Sequence, residues 1–249
     1  MRSLVVLGTA GPLGAQLVQP KSVSLVRDNG RWAPALFICD ATNADRAFAL
    51  TAPDRQRRAT LLAFARPGLA PIARTAVTVG QGDAGMSQLW FPLADAAGRQ
   101  VGAIHTVSPG VVEPGATTPT VVGVRTGTQD TNCRFAPQTR VLGVTAKRSV
   151  QVVATERNGY RYRSYNDDTT LPEIDQPWGG RDTRASLTID NGRLIDQRGS
   201  RRVFQFDRAG YVYRVLVSLD PAHAGGGVQV LRDGAGVGVA VLLTGGRAA

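Results

Sequence analysis

The stretch RVFQFDRAGYVYRVLV, residues 202–217, decides the fold class. In its first half Phe204 and Phe206 fall on one side of an extended chain and the residue between them on the other, which is the period of two of a half-buried β-strand. Ala209-Gly210 then supplies a tight turn. The second half is again rich in β-branched and aromatic residues, so the stretch predicts an antiparallel hairpin.

The same chemistry recurs along the chain, because turn pairs separate short alternating runs. Asn-Gly pairs favour the left-handed backbone of a type I′ hairpin turn. The predicted turns are Asn29-Gly30, Ala97-Gly98, Asn158-Gly159, Asn191-Gly192, Ala209-Gly210 and Asp233-Gly234. The clearest strand patterns are Ser149–Glu156, Tyr160–Tyr165, Ala185–Ile189, Arg201–Phe206, Tyr211–Val217 and Val228–Leu231. We therefore predict an all-β protein: an antiparallel meander, with β-sandwich or small β-barrel units joined in tandem.

One segment is open to a helical interpretation. Pro53–Ala65 has a proline near its start and Pro67-Gly68 as a stop, which is typical of a helix. The same residues also fit a turn at Pro53–Gln56 followed by a strand through Thr60–Phe64. We prefer the strand because the neighbouring segments are strands.

The sequence indicates a weak domain boundary near residues 136–147. We expect an N-terminal β unit over residues 20–135 and a C-terminal antiparallel β unit over residues 140–249, although the two could also be the sheets of one sandwich.

Cys39 and Cys133 are the two cysteines of the chain. In an exported protein a single pair is most simply a disulfide, whereas in the cytosol both would be inert core residues.

The N-terminus predicts export. Arg2 precedes an apolar, small-residue stretch from Leu4 to Ala15, so residues 1–19 resemble a short signal peptide, with an ordinary first β-strand as the alternative. Export would place the protein in the periplasm or outside the cell. No run approaches the roughly 18 apolar residues that a transmembrane helix needs, so we expect no transmembrane segment.

The positive charge has an unusual composition. The formal net charge is +10, and only Lys21 and Lys147 of the 29 basic residues are lysine. A GC-rich genome favours arginine codons, which is one explanation. The other is attraction to polyanions, since arginine grips phosphate and carboxylate in bidentate fashion.

Motifs for catalysis, cofactors and metals are missing. The histidines are His105, which we interpret as a satisfied strand residue, and His223, which lies in a predicted loop. They cannot form a typical three-ligand zinc site alone. The acidic stretch Asp167–Asp175 lacks calcium-loop spacing, so we expect a solvated loop. We expect a protein that is not an enzyme and binds neither cofactor nor metal.

Arginine and tyrosine recur together in the predicted hairpins. Alternation puts the tyrosines of one strand on one face and its arginines on the other, so neighbouring hairpins could present rings for stacking and guanidinium groups for anions. An ordinary sheet with tyrosine cross-strand pairs gives the same pattern. The candidate ligand-binding residues are Tyr160, Arg161, Tyr162, Arg163, Arg198, Arg201, Arg202, Tyr211, Tyr213 and Arg214.

Several phrases of the sequence resemble a group of exported proteins of GC-rich Gram-negative bacteria. The shared segments are Phe37-Ile38-Cys39-Asp40, Leu50-Thr51-Ala52-Pro53-Asp54, Cys133-Arg134, Thr139-Arg140-Val141-Leu142-Gly143-Val144-Thr145-Ala146 and Phe206–Arg214. The resemblance implies export and an all-β architecture, and it implies no activity. The C-terminal part is more loosely similar to the small β-barrels of periplasmic lysozyme inhibitors, in shape alone.

These observations favour a non-catalytic envelope protein that binds an anionic or glycan partner through its Arg/Tyr hairpins. Expected partners are peptidoglycan, lipopolysaccharide or another envelope polyanion; a protein partner stays open, and we do not expect nucleic acid. One alternative is a structural or assembly factor that acts by β-strand pairing. Another is a peptidoglycan-acting hydrolase or transpeptidase that uses Cys133 or His105.

Overall fold

The computed structural model describes residues 22–108, 120–135, 138–175, 181–218, 220, 225–241 and 243–247. The first ten strands are β1 (Ser22–Asp28), β2 (Arg31–Asp40), β3 (Arg46–Thr51), β4 (Arg58–Ala65), β5 (Pro71–Val79), β6 (Asp83–Gly85), β7 (Gln88–Ala94), β8 (Gln100–Val107), β9 (Thr120–Thr126) and β10 (Gln129–Asn132). The next eleven are β11 (Thr139–Val144), β12 (Arg148–Ala154), β13 (Tyr160–Asn166), β14 (Glu173–Asp175), β15 (Arg181–Thr183), β16 (Leu187–Arg198), β17 (Arg201–Arg208), β18 (Tyr211–Ser218), β19 (Gly225–Arg232), β20 (Ala235–Val241) and β21 (Leu243–Arg247). Within the described residues, no helix is long and apolar enough to cross a membrane.

The N-terminal strands form an antiparallel meander that returns to its own start. Each strand pairs with the next, except that β5 and β6 both pair with β7. A bridge between Ala41 and Cys133 then joins the end of β10 to the end of β2, and the Arg134 N–H donates to the Asp40 carbonyl over 2.7 Å. The enclosed core is apolar: Phe37, Phe48, Leu50, Leu61, Val77, Phe91, Leu93, Ile104 and Val124.

The C-terminal strands form a second antiparallel succession. It runs from β11 through β12, β13, β16, β17, β18 and β19 to β20, and β14 pairs with β15 as a separate small hairpin. Its core contains valines and aromatic rings: Val141, Val150, Val152, Tyr162, Ile189, Phe204, Phe206, Val215 and Val228. Phe204 and Phe206 point into this core, as their alternation predicted.

The last strand connects the two successions. β21 pairs with β1 on one side and with β11 on the other, so backbone hydrogen bonding links the N-terminal strands to the C-terminal strands. A third apolar cluster, which includes Val26, Ile38, Phe64 and Val144, also draws on both parts of the chain. The N-terminal and C-terminal strands therefore share an apolar cluster and backbone hydrogen bonds. The division into separate units of residues 20–135 and 140–249 stays a prediction. The predicted signal peptide, residues 1–19, lies outside the described residues.

The all-β antiparallel class is confirmed, and so are most local features. The segment that could have been a helix is β4, preceded by a turn in which the Asp54 carboxylate accepts the Gln56 and Arg58 N–H groups. Turns occur at Asn29-Gly30, Ala97-Gly98, Asn158-Gly159, Ala209-Gly210 and Asp233-Gly234, each between paired strands.

The predicted turn at Asn191-Gly192 is wrong, because these residues lie inside the 12-residue strand β16. Asn191 has the expected positive φ of 61°, but the chain bends without reversing. Residues before the bend pair with β13, and residues after it pair with β17. The left-handed residue thus marks a corner at which one strand passes from one partner to the other.

Gly192 is required at this corner for a steric reason. A Cβ added at Gly192 would lie 2.0 Å from Cε1 of Phe206, whose side chain is completely buried. Only glycine leaves room for the ring to cross the backbone.

We predict that Gly192→Ala lowers the free energy of unfolding by about 1–3 kcal/mol, since the ring or the strand must shift in a packed core. The measurement is urea denaturation followed by circular dichroism. Gly236→Ala is the matched control, because no atom lies within 4 Å of its added Cβ. Equal stability of the two variants would show that β16 does not cross Phe206 in this way.

Candidate functional site: an arginine-lined groove

A groove of about 1090 Å³ lies at one end of the C-terminal succession of strands. It forms where the start of β11, the turn between β12 and β13, and the bend of β16 meet. The lining residues are Gln138, Arg140, Val153, Ala154, Thr155, Glu156, Arg157, Asn158, Gly159, Tyr160, Arg161, Asp190 and Asn191. Two of the predicted ligand-binding residues, the consecutive Tyr160 and Arg161, line this groove. The other side chains of the groove could not be assigned to it from sequence, because they come from three separate segments.

Tyr160 contributes an aromatic ring to the groove wall. One side of the ring packs edge-on against Phe204, with centroids 4.8 Å apart and planes at 71°. The side chain is only partly buried, so the core holds the ring in place and the groove retains access to it. A fixed and partly exposed ring is suited to stacking against the apolar face of a ligand.

Three arginines, Arg140, Arg157 and Arg161, line the groove together with Tyr160. Arg140 donates from Nη2 to Oε1 of Gln138 over 2.8 Å, and Arg161 donates from Nε to Asp190. Arg157 is exposed in the turn between β12 and β13. With Glu156 and Asp190 the groove has three positive and two negative charges, a formal balance of +1. Such a site is chemically equipped to bind an anion by oriented N–H donors.

Three of the ten described non-glycine residues with positive φ line the groove. Gln138, Asn158 and Asn191 have φ values of 61°, 56° and 61°. Asparagine tolerates this region well, but an extended side chain such as glutamine seldom occupies it. Gln138 is held there by its carbonyl, which accepts the N–H of Ala154 over 2.9 Å.

The tyrosines of the predicted Arg/Tyr surface mostly face the core. The Tyr162 side chain is 1% exposed, and its ring lies 5.5 Å from that of Phe206 and 5.7 Å from that of Tyr213. The Tyr162 ring is therefore unavailable for stacking on a ligand. Arg163 lies on the opposite face of β13, and Arg214 donates to Gln205 on the neighbouring strand.

The remaining predicted residues lie away from the groove. Arg198 and Arg201 both reach Asp196 at the far end of β16, at 3.2 and 3.6 Å. Arg202 donates to the Gly199 carbonyl in the same turn, and the Tyr211 ring lies under the guanidinium of Arg232. These arginines are therefore partly satisfied by their own hairpin.

A buried ionic cluster, which the sequence did not predict, joins the two parts of the chain. Arg134 donates from Nε to Asp40 over 2.6 Å and from Nη1 to Asp182, and its guanidinium stacks 3.5 Å from the Tyr165 ring centroid. Arg66 bridges Asp40 and Asp167. The five charged side chains, Asp40, Arg66, Arg134, Asp167 and Asp182, are at most 9% exposed. Asp167 was expected in a solvated loop; this is wrong because Arg66 holds its carboxylate in the interior.

The electrostatics of the cluster oppose full ionisation. Burial raises the pKa of Asp182 and of Asp167 above the ordinary range, against the opposing effect of Arg134 and Arg66. The nearby carboxylate of Asp40 raises the pKa of both groups further, because like charges disfavour ionisation. A polar cleft of about 410 Å³ adjoins the cluster, and it is lined in part by Arg66, Asp167 and Thr183.

The residues of the enzymatic alternative have structural partners. Cys133 is bonded to Cys39, so a nucleophilic role would first require reduction of the disulfide. The His105 ring stacks on Trp90 at 4.1 Å, its Nε2 lies 2.7 Å from Oε1 of Gln88, and burial lowers its pKa. His223 lies outside the described residues. No group of three or more His, Cys, Asp or Glu side chains in the described ranges is arranged to hold a metal ion.

We predict that Arg134→Met lowers the free energy of unfolding by about 3–5 kcal/mol at pH 7, since it leaves buried carboxylates without their cation. The loss should shrink as the pH falls toward 4. Orphaned carboxylates have a folded-state pKa above the unfolded value, so their penalty is present at high pH and is relieved once protons bind.

The measurement is urea denaturation at both pH values. The control is Arg193→Met, whose ion pair with Asp207 is exposed and should contribute little. A loss for Arg134→Met that is independent of pH would contradict the electrostatic origin of the effect.

Comparison of the chain with protein-family models, with curated proteins and with solved structures finds no match.

Proposed function

We propose that this chain is a non-catalytic, exported envelope protein that binds an anionic or glycan partner. The observation that carries the proposal is the groove lined by Tyr160, in which β11 supplies Arg140, the β12–β13 turn supplies Arg157, and β13 supplies Arg161 and a partly exposed ring. The net charge of +10 supports it, because positive potential attracts polyanions over a distance. Peptidoglycan and lipopolysaccharide are the partners to test first.

The Cys39–Cys133 disulfide supports the compartment. The two cysteines are 94 residues apart in sequence and their Cα atoms are 4.9 Å apart. Structural disulfides persist in oxidising compartments and are rare in the cytosol. Periplasmic or extracellular location therefore belongs to the proposal together with the predicted signal peptide.

We expect the protein to co-sediment with isolated peptidoglycan or lipopolysaccharide, and we expect this binding to weaken as salt is raised. Replacing Arg140, Arg157 and Arg161 together by glutamine should weaken binding by about tenfold or more, because charge-assisted hydrogen bonds are lost. The measurement is co-sedimentation across a salt series.

The matched control replaces Arg31, Arg55 and Arg99 by glutamine, which removes the same charge from exposed positions of the N-terminal part of the chain. If control and groove variants lose equal affinity, overall charge and not the groove governs binding. If replacing Arg198, Arg201 and Arg202 has the larger effect, the site is the tip of the β16–β17 hairpin. Absence of binding at low salt would overturn the proposal.

A second candidate function, assembly by β-strand pairing, is favoured by the edge of β5. Residues 71–77 pair with β4 on one side, whereas β7 reaches only Thr78 and Val79, and no other described strand pairs there. Ile72 is 49% exposed on this edge. An accessible edge can accept another strand.

If assembly uses this edge, sedimentation velocity should show an oligomer that grows with concentration. Ala76→Pro should abolish it, because the Ala76 N–H points to the open edge and proline cannot donate to a new strand ladder. Thr78→Pro is not a usable control, since that residue is already paired. Asp233→Asn, in the turn between β19 and β20, should leave the oligomer unchanged. A monomer at all concentrations would exclude self-assembly through this edge.

A further inference from the structure

The groove has a weak net charge for a site with three arginines, and this property bears on the chemistry of its ligand. Glu156 and Asp190 line the groove beside the arginines, and Asp190 already accepts a hydrogen bond from Arg161. Densely charged phosphate chains would be repelled by both carboxylates. A ligand with single negative charges that are spaced apart could approach the arginines and avoid the acidic side chains.

The geometry of the donors fits carboxylate. A guanidinium offers parallel N–H groups that match the two oxygens of a carboxylate. Arg140 is oriented by Gln138, which is in turn anchored to β12 through the Ala154 N–H. The guanidinium is therefore positioned before the ligand arrives, so less entropy is lost on binding.

The ring and the size of the groove fit a sugar chain. Tyr160 is partly exposed and its orientation is held by Phe204, so it can stack under the apolar face of a pyranose ring. The groove volume of about 1090 Å³ exceeds the roughly 300–1,000 Å³ of a typical small-molecule pocket. More than one sugar residue can therefore be accommodated.

From these features, and resting on the proposed function, we infer that the ligand is an acidic oligosaccharide with isolated carboxylates. One carboxylate binds the guanidinium of Arg140, and Tyr160 stacks against a sugar ring. Arg157 and Arg161 flank the chain as it passes through the groove. The inference narrows the ligand from envelope polyanions in general to uronate-type glycans.

The test is isothermal titration of the full chain with three probes of matched length. The probes are an oligogalacturonate, its methyl ester, which keeps the sugar and removes the charge, and inorganic polyphosphate. We expect the oligogalacturonate to bind best and the methyl ester to bind about tenfold more weakly. Polyphosphate should bind more weakly than the oligogalacturonate at equal ionic strength.

Two variants test the assigned roles. Tyr160→Leu should weaken oligogalacturonate binding about 3- to 10-fold through loss of stacking, with Trp90→Leu as a control that removes a partly exposed ring elsewhere. Arg140→Lys keeps the charge and loses the bidentate fork, so a comparable loss is expected. Arg140→Lys is less prone to misfold than a variant that touches the core. Unchanged affinity of Arg140→Lys for the oligogalacturonate would overturn the role of Arg140.

The outcomes separate the inference from the proposed function. Tighter binding of polyphosphate than of oligogalacturonate overturns the carboxylate assignment and leaves anion binding intact. Equal binding of the methyl ester and the acid overturns the role of charge in favour of neutral glycan recognition. If none of the probes binds and peptidoglycan and lipopolysaccharide also fail to bind, both the inference and the proposed function are wrong.

Discussion

The structure depends on the buried ion pair between Arg134 and Asp40. Each residue directly follows a cysteine of the disulfide, so a covalent bond and an ion pair close the N-terminal strands at the same place. Neither charge could be buried alone, because desolvation would cost several kcal/mol per ion. Arg134 also donates from Nη1 to Asp182 and to the Thr183 hydroxyl, and Asp40 accepts from Arg66 as well. Through Asp167 and Asp182 the cluster extends into the C-terminal part of the chain, which supplies carboxylates for the buried arginines.

The groove begins a few residues further along the chain. Gln138 lies four residues after Arg134, and its carbonyl is anchored to Ala154 at the end of β12. β11 begins at the next residue and places Arg140 opposite the β12–β13 turn. The groove thus combines the start of β11 with a hairpin that its own Asn-Gly turn defines.

Much of the fold could be predicted because it rests on local chemistry. Alternation placed Phe204 and Phe206 in the core, and five of the six turn pairs separate paired strands. The exception is Asn191-Gly192. Asn191 has the positive φ that favours a hairpin turn, but in the folded chain these residues form a bend within β16. The Arg/Tyr pattern was interpreted in two ways from sequence. Burial of Tyr162 fits the ordinary sheet at that position, while Tyr160 retains access to the groove.

The sequence by itself determined the all-β class, most of the hairpin turns and the strongly positive charge, since each depends on residue type or on spacing along the chain. It predicted the disulfide for an exported protein, with two inert core cysteines as the alternative. Tertiary structure decided which charges are buried and which side chains meet. Asp40, Arg66 and Asp167 lie far apart in sequence, and only strand closure brings them within hydrogen-bonding distance. The groove is likewise built from three segments. No local pattern encodes either arrangement, because both arise from long-range pairing.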